Sequence, residues 1–354
     1  MSPEAERTNA PAAAPATGNE REWVMTDSVQ LTEVLDGRVR RRDERRDFFR
    51  AAMGMGAFAV GATALTLSTG ASAQAAITDA DILNFALNLE YLEAQFYLYA
   101  ANGTGLAANQ LTGTGTQGAV VTGTGANMAR QVQFTDPVVR AYAREIAADE
   151  AAHVAFLRTA LGASAVAQPA INISGDASGP FTAAARAAGV VGANAVFDPY
   201  ADDNSFLLGA YIFEDVGVTA YKGASPLVTN RTFLQAAAGI LAVEAYHAAI
   251  VRTTLYAKGI ETPSLRTAAD AISNARDQLD GTGGPNGGDL DQGISPTTVS
   301  GQLVSNIVPL DVNGIAFSRS PGQVLNIVYL SRAAATMGGF FPAGVNGTLR
   351  AAAA

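Results

Sequence analysis

The chain contains only two histidines, and each of them stands three residues after a glutamate. The pairs are Glu150 with His153 and Glu244 with His247, and both lie in segments whose apolar residues recur at helical spacing. Residues three apart project from the same side of a helix, so each pair can hold one metal ion from within an apolar stripe. This repeated Glu-x-x-His pattern restricts the fold more than any other feature of the sequence.

Each of four predicted helices places one glutamate inside its apolar stripe. Glu90 lies in a helix that begins near Thr78, and Glu214 lies in the third helix of the series. A tyrosine follows seven residues after each of these two glutamates, so the first half of the segment repeats in the second. The helices are expected at about residues 78–100, 137–161, 204–221 and 232–257.

Four carboxylates in one apolar core require a positive partner. Burying each of them costs roughly several kcal/mol, and no lysine or arginine occupies a matching inward position of these helices. Two divalent ions balance the charge of four glutamates and two neutral imidazoles, and no other residue is needed. The sequence therefore predicts a di-metal site with the ligands Glu90, Glu150, His153, Glu214, Glu244 and His247.

The sequence leaves the roles of several neighbouring side chains open. Glu93 lies one turn beyond the first ligand and is either a replacement or extra ligand, or a flanking residue in contact with solvent. Asp149 and Asp215 are displaced by about 100° around their helices from the adjacent glutamates, which favours contact with solvent or with a ligand over ligation itself. Tyr97 and Tyr221 either hydrogen-bond ligand carboxylates, carry radicals or serve as plain core aromatics.

The alternation of a glutamate helix with a Glu-x-x-His helix resembles the ferritin-like di-metal carboxylate proteins. The match covers about residues 78–258, and residues 83–97 are more narrowly similar to exported bacterial ferritin-like proteins related to plant desiccation-related proteins. The resemblance implies an all-α fold, a four-helix bundle with a long crossover connection. It also implies that Glu150 and Glu244 bridge the two ions, with terminal ligation by Glu90, Glu214, His153 and His247.

The segments that connect and follow the four helices are long, and the C-terminal one carries no recognisable chemistry. Residues 162–203 are long enough to cross the bundle and are expected to contain a short helix at 181–188. Residues 101–136 carry three Gly-Thr-Gly repeats and are interpreted as a strand-like hairpin or a mobile flap. The bundle domain is predicted at 74–258. A C-terminal extension at 259–354, with helices at about 263–279 and 321–336, is expected to pack on it.

Residues 1–73 are interpreted as an export leader. The paired arginines of Arg45-Arg46-Asp47-Phe48-Phe49-Arg50 precede a weakly apolar run and the small-residue site Ala71-Ser72-Ala73, which resembles a twin-arginine signal cleaved after Ala73. The alternative is a membrane anchor, but the apolar run is short and rich in glycine and alanine. We therefore expect a periplasmic or secreted protein without stable membrane insertion.

The composition limits the classes of function. A net charge of −9 argues against a nucleic-acid-binding surface, and the absence of cysteine excludes thiolate zinc sites and iron–sulfur clusters. Carboxylate and imidazole ligands favour two iron or two manganese ions, with peroxide or dioxygen as the small oxidant. The leading hypothesis is oxidation of Fe(II) or reduction of peroxide or oxygen in stress protection.

Two other functions remain open at this point. A dimanganese catalase uses a similar ligand set, and a desiccation or stress protein without enzymatic activity would keep the metal as a structural or stored ion. The C-terminal extension is expected to block assembly of a ferritin-type cage, so a monomer or homodimer is predicted.

Overall fold

The computed structural model describes residues 77–281 and 289–353, which belong to one compact unit. The predicted export leader lies outside the described residues. The described part is mostly helical, which confirms the predicted all-α fold class. The helices are α1 (Asp79–Asn102), α2 (Pro137–Leu161), α3 (Pro180–Ala187), α4 (Asp203–Tyr211), α5 (Glu214–Ala224), α6 (Arg231–Glu261), α7 (Ser264–Asp280) and α8 (Pro321–Val328).

The bundle consists of two helix pairs, α1 with α2 and α5 with α6. The predicted capping box starts α1: Thr78 Oγ1 accepts a hydrogen bond from the backbone N–H of Asp81, and the Asp81 carboxylate accepts one from the Thr78 N–H. The backbone N–H groups of Val138 and Val139, at the start of α2, donate to the side chain of Asp136. These local caps fix where the two helices begin.

The third predicted helix is interrupted rather than continuous. Ile212 and Phe213 form a turn between α4 and α5. Arg276 of α7 donates hydrogen bonds to the carbonyl oxygens of Tyr211 and Ile212 at this turn. A charged donor from outside the helix therefore satisfies carbonyl groups at the break, which lies directly before Glu214 and makes that glutamate the first residue of α5.

The connection at 101–136 does not form the hairpin that the sequence allowed. Its strand β1 (Val120–Val121) pairs in parallel with β2 (Ile171–Asn172) of the crossover connection. The glycines permit this pairing: a Cβ atom added at Gly118 would lie 2.1 Å from the backbone nitrogen of Ala170. The two long connections thus lie backbone to backbone, and the crossover also contains the predicted short helix, α3.

Beyond α6, the C-terminal extension contains α7, an antiparallel hairpin of β3 (Thr297–Val299) and β4 (Gln302–Val304), and α8. The last helix ends well before the predicted residue 336, because the chain turns at Leu330, which has a φ of 53°. A buried ion pair joins the extension to the bundle, between Arg276 and Asp215. Arg252 of the bundle donates to the carbonyl oxygens of Gln292 and Gly293, and Arg319 of the extension donates to the Thr219 hydroxyl.

The end of the chain is joined to the first helix. Asn88 of α1 donates through Nδ2 to the carbonyl oxygen of Asn346 (2.9 Å) and accepts at Oδ1 from the Asn346 backbone N–H (2.9 Å). The Asn346 side chain also donates to the carbonyl oxygens of Thr116 and Ala167. One asparagine thereby connects α1, both long connections and the C-terminal extension.

Among the described residues, one helix is long and apolar enough to cross a membrane by length and composition, namely α6. Core helices of soluble proteins meet the same criterion. The buried face of α6 carries Glu244 and His247, so its apolar character accompanies a polar site in the protein interior.

Candidate metal centre

The bundle brings all six predicted ligands together in its interior. The four glutamates are at most 1% exposed, and the two histidines are buried as well. Each helix contributes from the stripe predicted for it: Glu90 from α1, Glu150 and His153 from α2, Glu214 from α5, and Glu244 and His247 from α6.

The ligand atoms fall into two groups that share one glutamate. Within each group the candidate ligand atoms lie within 4.8 Å of one another. Because Glu244 belongs to both groups, the arrangement has the form of two adjacent ion sites joined by a carboxylate. The groups are Glu90, Glu150, His153 and Glu244, and Glu214, Glu244 and His247.

Both imidazoles direct Nδ1 at the carboxylates. His153 Nδ1 lies 3.1 Å from Glu90 Oε2 and 3.5 Å from Glu150 Oε2. His247 Nδ1 lies 3.0 Å from the other oxygen of Glu150, Oε1. Glu150 therefore presents one oxygen to each histidine, which is the orientation that a carboxylate bridging two ions requires.

The other nitrogen of His247 contacts Asp149. The distance from His247 Nε2 to Asp149 Oδ2 is 3.1 Å, and the aspartate side chain is 43% exposed. A carboxylate on the outer nitrogen of a metal-binding imidazole fixes the ring orientation and the tautomer. Asp149 thus combines the two roles left open by the sequence, contact with solvent and contact with a ligand.

Two tyrosines hydrogen-bond the terminal glutamates across the bundle. The Tyr97 hydroxyl donates to Glu214, and the Tyr221 hydroxyl donates to Glu90. Each tyrosine lies on the helix that carries the other glutamate of the pair. Of the roles considered for these residues, the structure shows the hydrogen bond to a carboxylate.

Glu93 does not lie on a solvent-exposed flank, which corrects one of the sequence-based alternatives. It is 6% exposed and faces the interior because α1 is buried around nearly its whole circumference. It is absent from both groups of ligand atoms, whereas Glu90 belongs to one of them. The preference for Glu90 as the ligand from α1 agrees with this geometry.

Asp215 is buried as well, and its carboxylate belongs to an ion-pair network rather than contacting solvent. Its Oδ2 lies 2.8 Å from the guanidinium nitrogens of both Arg252 and Arg276. Sequence reasoning missed Arg276 as a partner. The available signal was its position four residues after Ile272, in the stripe of α7 that packs inward.

Several buried polar atoms of the centre have no hydrogen-bond partner. Buried polar groups in proteins are nearly always satisfied, so such a cluster indicates a missing cationic partner. His247 Nδ1 lies 3.0 Å from Glu150 Oε1, but the geometry of this contact is not that of a hydrogen bond. The donor set therefore fits divalent cations; its unpartnered atoms are Glu150 Oε2, Glu214 Oε2, Glu244 Oε1, Glu244 Oε2 and His247 Nδ1.

The electrostatics of the metal-free cluster lead to the same conclusion. Burial and the neighbouring Glu150 raise the pKa of Glu90 to about 7, and burial raises the pKa of Glu214 to about 8. Burial also raises the pKa of Glu244 well above its usual range. Burial acts in the same direction on Glu150, but its contacts with the two histidines outweigh it and hold its pKa at about 2. Without ions, burial thus favours the protonated forms of Glu90, Glu214 and Glu244.

Residues 78–257 match the ferritin-like domain family. The chain belongs to this family. The matched segment covers α1, α2 and α5, most of α6 and all six candidate ligands, in agreement with the resemblance found in the sequence.

Two relatives of this ferritin-like protein are similar over most of their length. The ferritin-like catalase Nec2 of Nesocodon mauritianus is 30% identical over 283 residues, which cover 77% of this chain and 84% of the relative. The desiccation-related protein PCC13-62 of Craterostigma plantagineum is 30% identical over 254 residues, which cover 70% of this chain and 76% of the relative. No solved structure matches the chain significantly.

Proposed function

We propose that this ferritin-like protein holds two redox-active ions, iron or manganese, and uses them to oxidise Fe(II) or to reduce peroxide or dioxygen in stress protection. The observation that carries the proposal is the set of buried, unpartnered carboxylate oxygens at the centre of the bundle. No buried lysine or arginine of the described residues pairs with these glutamates. Two divalent ions would satisfy the oxygens and balance their charge.

The proposed roles follow from the positions of the side chains. Glu150 and Glu244 would bridge, because Glu150 faces both histidines and Glu244 belongs to both ligand groups. Terminal ligation falls to Glu90, Glu214, His153 and His247. When bound, the ions supply two accessible oxidation states for electron exchange with an oxidant.

The surrounding residues orient the ligands and exclude water. Tyr97 and Tyr221 hold one oxygen each of Glu214 and Glu90. Asp149 holds the outer nitrogen of His247. The buried apolar residues of α1 and α2 separate the centre from solvent, which strengthens every electrostatic contact within it.

A catalase activity is the second candidate. It is favoured by the similarity to a protein named ferritin-like catalase, and a manganese pair is the form of the centre that we associate with it. The similarity to a desiccation-related protein favours a third reading, in which the ions are structural or stored and do not turn over.

The proposal includes location and partners. We infer export to the periplasm or beyond from the twin-arginine pattern at Arg45 and Arg46. The partner is a small oxidant, without nucleic acid and without stable membrane insertion, and the protein acts as a monomer or homodimer.

Elemental analysis of the purified protein, followed by anaerobic addition of Fe(II) and then peroxide, tests the function. We expect two iron or manganese ions per chain and rapid absorbance changes on oxidation. Release of dioxygen from peroxide without Fe(II) would identify a catalase. Two ions that never turn over would refute the redox proposal and support a structural or storage site.

A pair of matched variants tests the site itself. Glu150→Gln should reduce the bound metal to less than two ions per chain. Glu145→Gln, the same change at an exposed position of the same helix, should leave the metal content unaltered. Two ions in both variants would contradict the assignment of Glu150.

A further inference from the structure

The two halves of the centre differ in the residue that lies one helical turn beyond each terminal glutamate. Three residues after Glu90 the chain has Glu93, whereas three residues after the corresponding Glu214 it has Gly217. Since both positions lie one helical turn beyond a ligand, they face the same region from opposite helices. The two halves therefore do not repeat at this position: α1 has the carboxylate of Glu93, and α5 has a glycine, Gly217.

Gly217 makes room for the carboxylate of Glu244 and lies next to that of Glu93. A Cβ atom added there would lie 2.2 Å from Glu244 Oε2 and 3.6 Å from Glu93 Oε1. The first of these distances is too short for any side chain, although the backbone of α5 is ordinary for a helix at this residue. Glycine is thus required by the close approach of Glu244 and not by backbone conformation.

A small cavity lies at the same place. Its volume is about 20 Å³, and its lining includes Glu93 and Gly217 together with the apolar side chains of Phe213, Val216 and Val328. All of these residues are buried. A space of this size accommodates a molecule comparable to water, and Glu93 is its ionisable lining residue.

Glu93 is available to contact a molecule in this cavity. None of the described residues donates a hydrogen bond to its carboxylate, and it does not belong to either group of candidate ligand atoms. The Glu93 oxygens are not among the fully enclosed unpartnered atoms, so the carboxylate retains an accessible surface for a polar contact. The cavity beside it provides the space for such a partner.

We propose that the cavity between Glu93 and Gly217, beside the Glu244 carboxylate, is the binding site for a peroxide-sized molecule, with Glu93 as its polar contact and not as an ion ligand. The inference rests on the proposed di-metal site and names where the small oxidant is held. Gly217 keeps this flank open next to Glu244, and Val328 of α8 closes the cavity from the side of the C-terminal extension.

Azide binding to the Co(II)-loaded protein tests the proposal without any redox turnover. Azide serves as a small triatomic probe, and the visible absorption of Co(II) reports its binding. Glu93→Leu removes the polar contact at similar size, and Glu93→Gln restores it. Val328→Ile adds one methylene to the cavity, and Val324→Ile adds the same group elsewhere in α8, at a buried residue that does not line it.

We expect two Co(II) ions per chain in every variant and an azide affinity at least about tenfold weaker in Glu93→Leu and Val328→Ile, a loss comparable to that of one hydrogen bond. Glu93→Gln should recover most of the affinity, and Val324→Ile should match the wild type. Circular dichroism verifies that each variant is folded.

Three results would overturn the inference. Loss of an ion in Glu93→Leu would make Glu93 a ligand, and unchanged azide affinity in both Glu93→Leu and Val328→Ile would place the probe elsewhere. Absence of metal from the wild type would refute the di-metal site itself. Because metal content and azide affinity are measured separately, failure of the centre and failure of the cavity are distinguishable, and neither depends on whether the protein turns over.

Discussion

The hydroxyl of Tyr97 on α1 donates a hydrogen bond across the bundle to Glu214 on α5. The hydroxyl of Tyr221 on α5 donates the equivalent hydrogen bond to Glu90 on α1. Each glutamate is thereby oriented by the helix that carries the other. These two hydrogen bonds join α1 and α5 through the tyrosines and the candidate ligands Glu90 and Glu214. They leave one oxygen of Glu214 unpartnered and directed at the ion site.

Replacing Tyr97 by phenylalanine removes this buried hydrogen bond. We expect the free energy of unfolding of the metal-free protein to fall by about 1–3 kcal/mol, since an acceptor on Glu214 loses its partner. Thermal denaturation measures the effect, with Tyr246→Phe as the control because Tyr246 is 72% exposed on α6. Equal melting temperatures for the two variants would show that the hydrogen bond contributes nothing.

Asp149→Asn should weaken metal binding without removing a ligand. The carboxylate on His247 Nε2 fixes the imidazole, and loss of such a contact lowers metal affinity by about 10–100-fold. Competition with a chromophoric chelator measures the affinity, and the number of ions per chain should remain two. An affinity equal to that of the wild type would assign Asp149 to the surface alone.

Gly118→Ala should destabilise the paired connections. The added methyl group would lie 2.1 Å from the backbone nitrogen of Ala170, so the two segments must separate. Gly192→Ala is the matched control, because nothing lies within 4 Å of a Cβ atom there and its φ is not positive. Denaturation by urea should show a lower midpoint for the first variant only, and identical midpoints would argue against the close approach.

Arg276→Met should release the interrupted helix from the C-terminal extension. The change leaves Asp215 and Asp291 with fewer positive partners and removes the donor to the Tyr211 carbonyl. Breaking a buried ion pair from one side costs about 3–5 kcal/mol. Limited proteolysis should show faster cleavage than in Arg332→Met, which changes an exposed arginine. Equal cleavage rates would contradict the structural role of Arg276.

Exchange of both Arg45 and Arg46 for lysine tests the export proposal. Twin-arginine signals depend on the arginine pair, so the protein should accumulate in the cytoplasm of a bacterial host. Immunoblotting of cell fractions gives the distribution. Export of the variant at the rate of the wild type would exclude this route.

The bounds of the first two bundle helices were predictable because their signals are local. Thr78 and Asp81 form a capping box within four residues, and α2 begins and ends at the residues expected from Pro137 and Gly162. The glutamates and histidines of the centre were predictable for a related reason. Their spacing along each helix fixes which face they share, independently of contacts that are distant in sequence.

Other features depend on contacts distant in sequence and could not be predicted in this way. The turn at Ile212 and Phe213 is stabilised by Arg276, more than sixty residues later. The burial of Glu93 follows from α1 being enclosed by the other helices and the extension, which its own periodicity does not reveal. The pairing of β1 with β2 joins two connections that the sequence presents as separate loops.

The contact between Asn88 and Asn346 has a consequence for the order of assembly. Asn88 is fully buried, lies two residues before Glu90 and is held by a residue close to the end of the chain. Asn346 lies 258 residues after Asn88, so during synthesis α1 lacks this partner until that later segment has been made. The segment of α1 that carries Glu90 therefore acquires its full set of contacts only after the C-terminal extension has been synthesised and has folded back onto it.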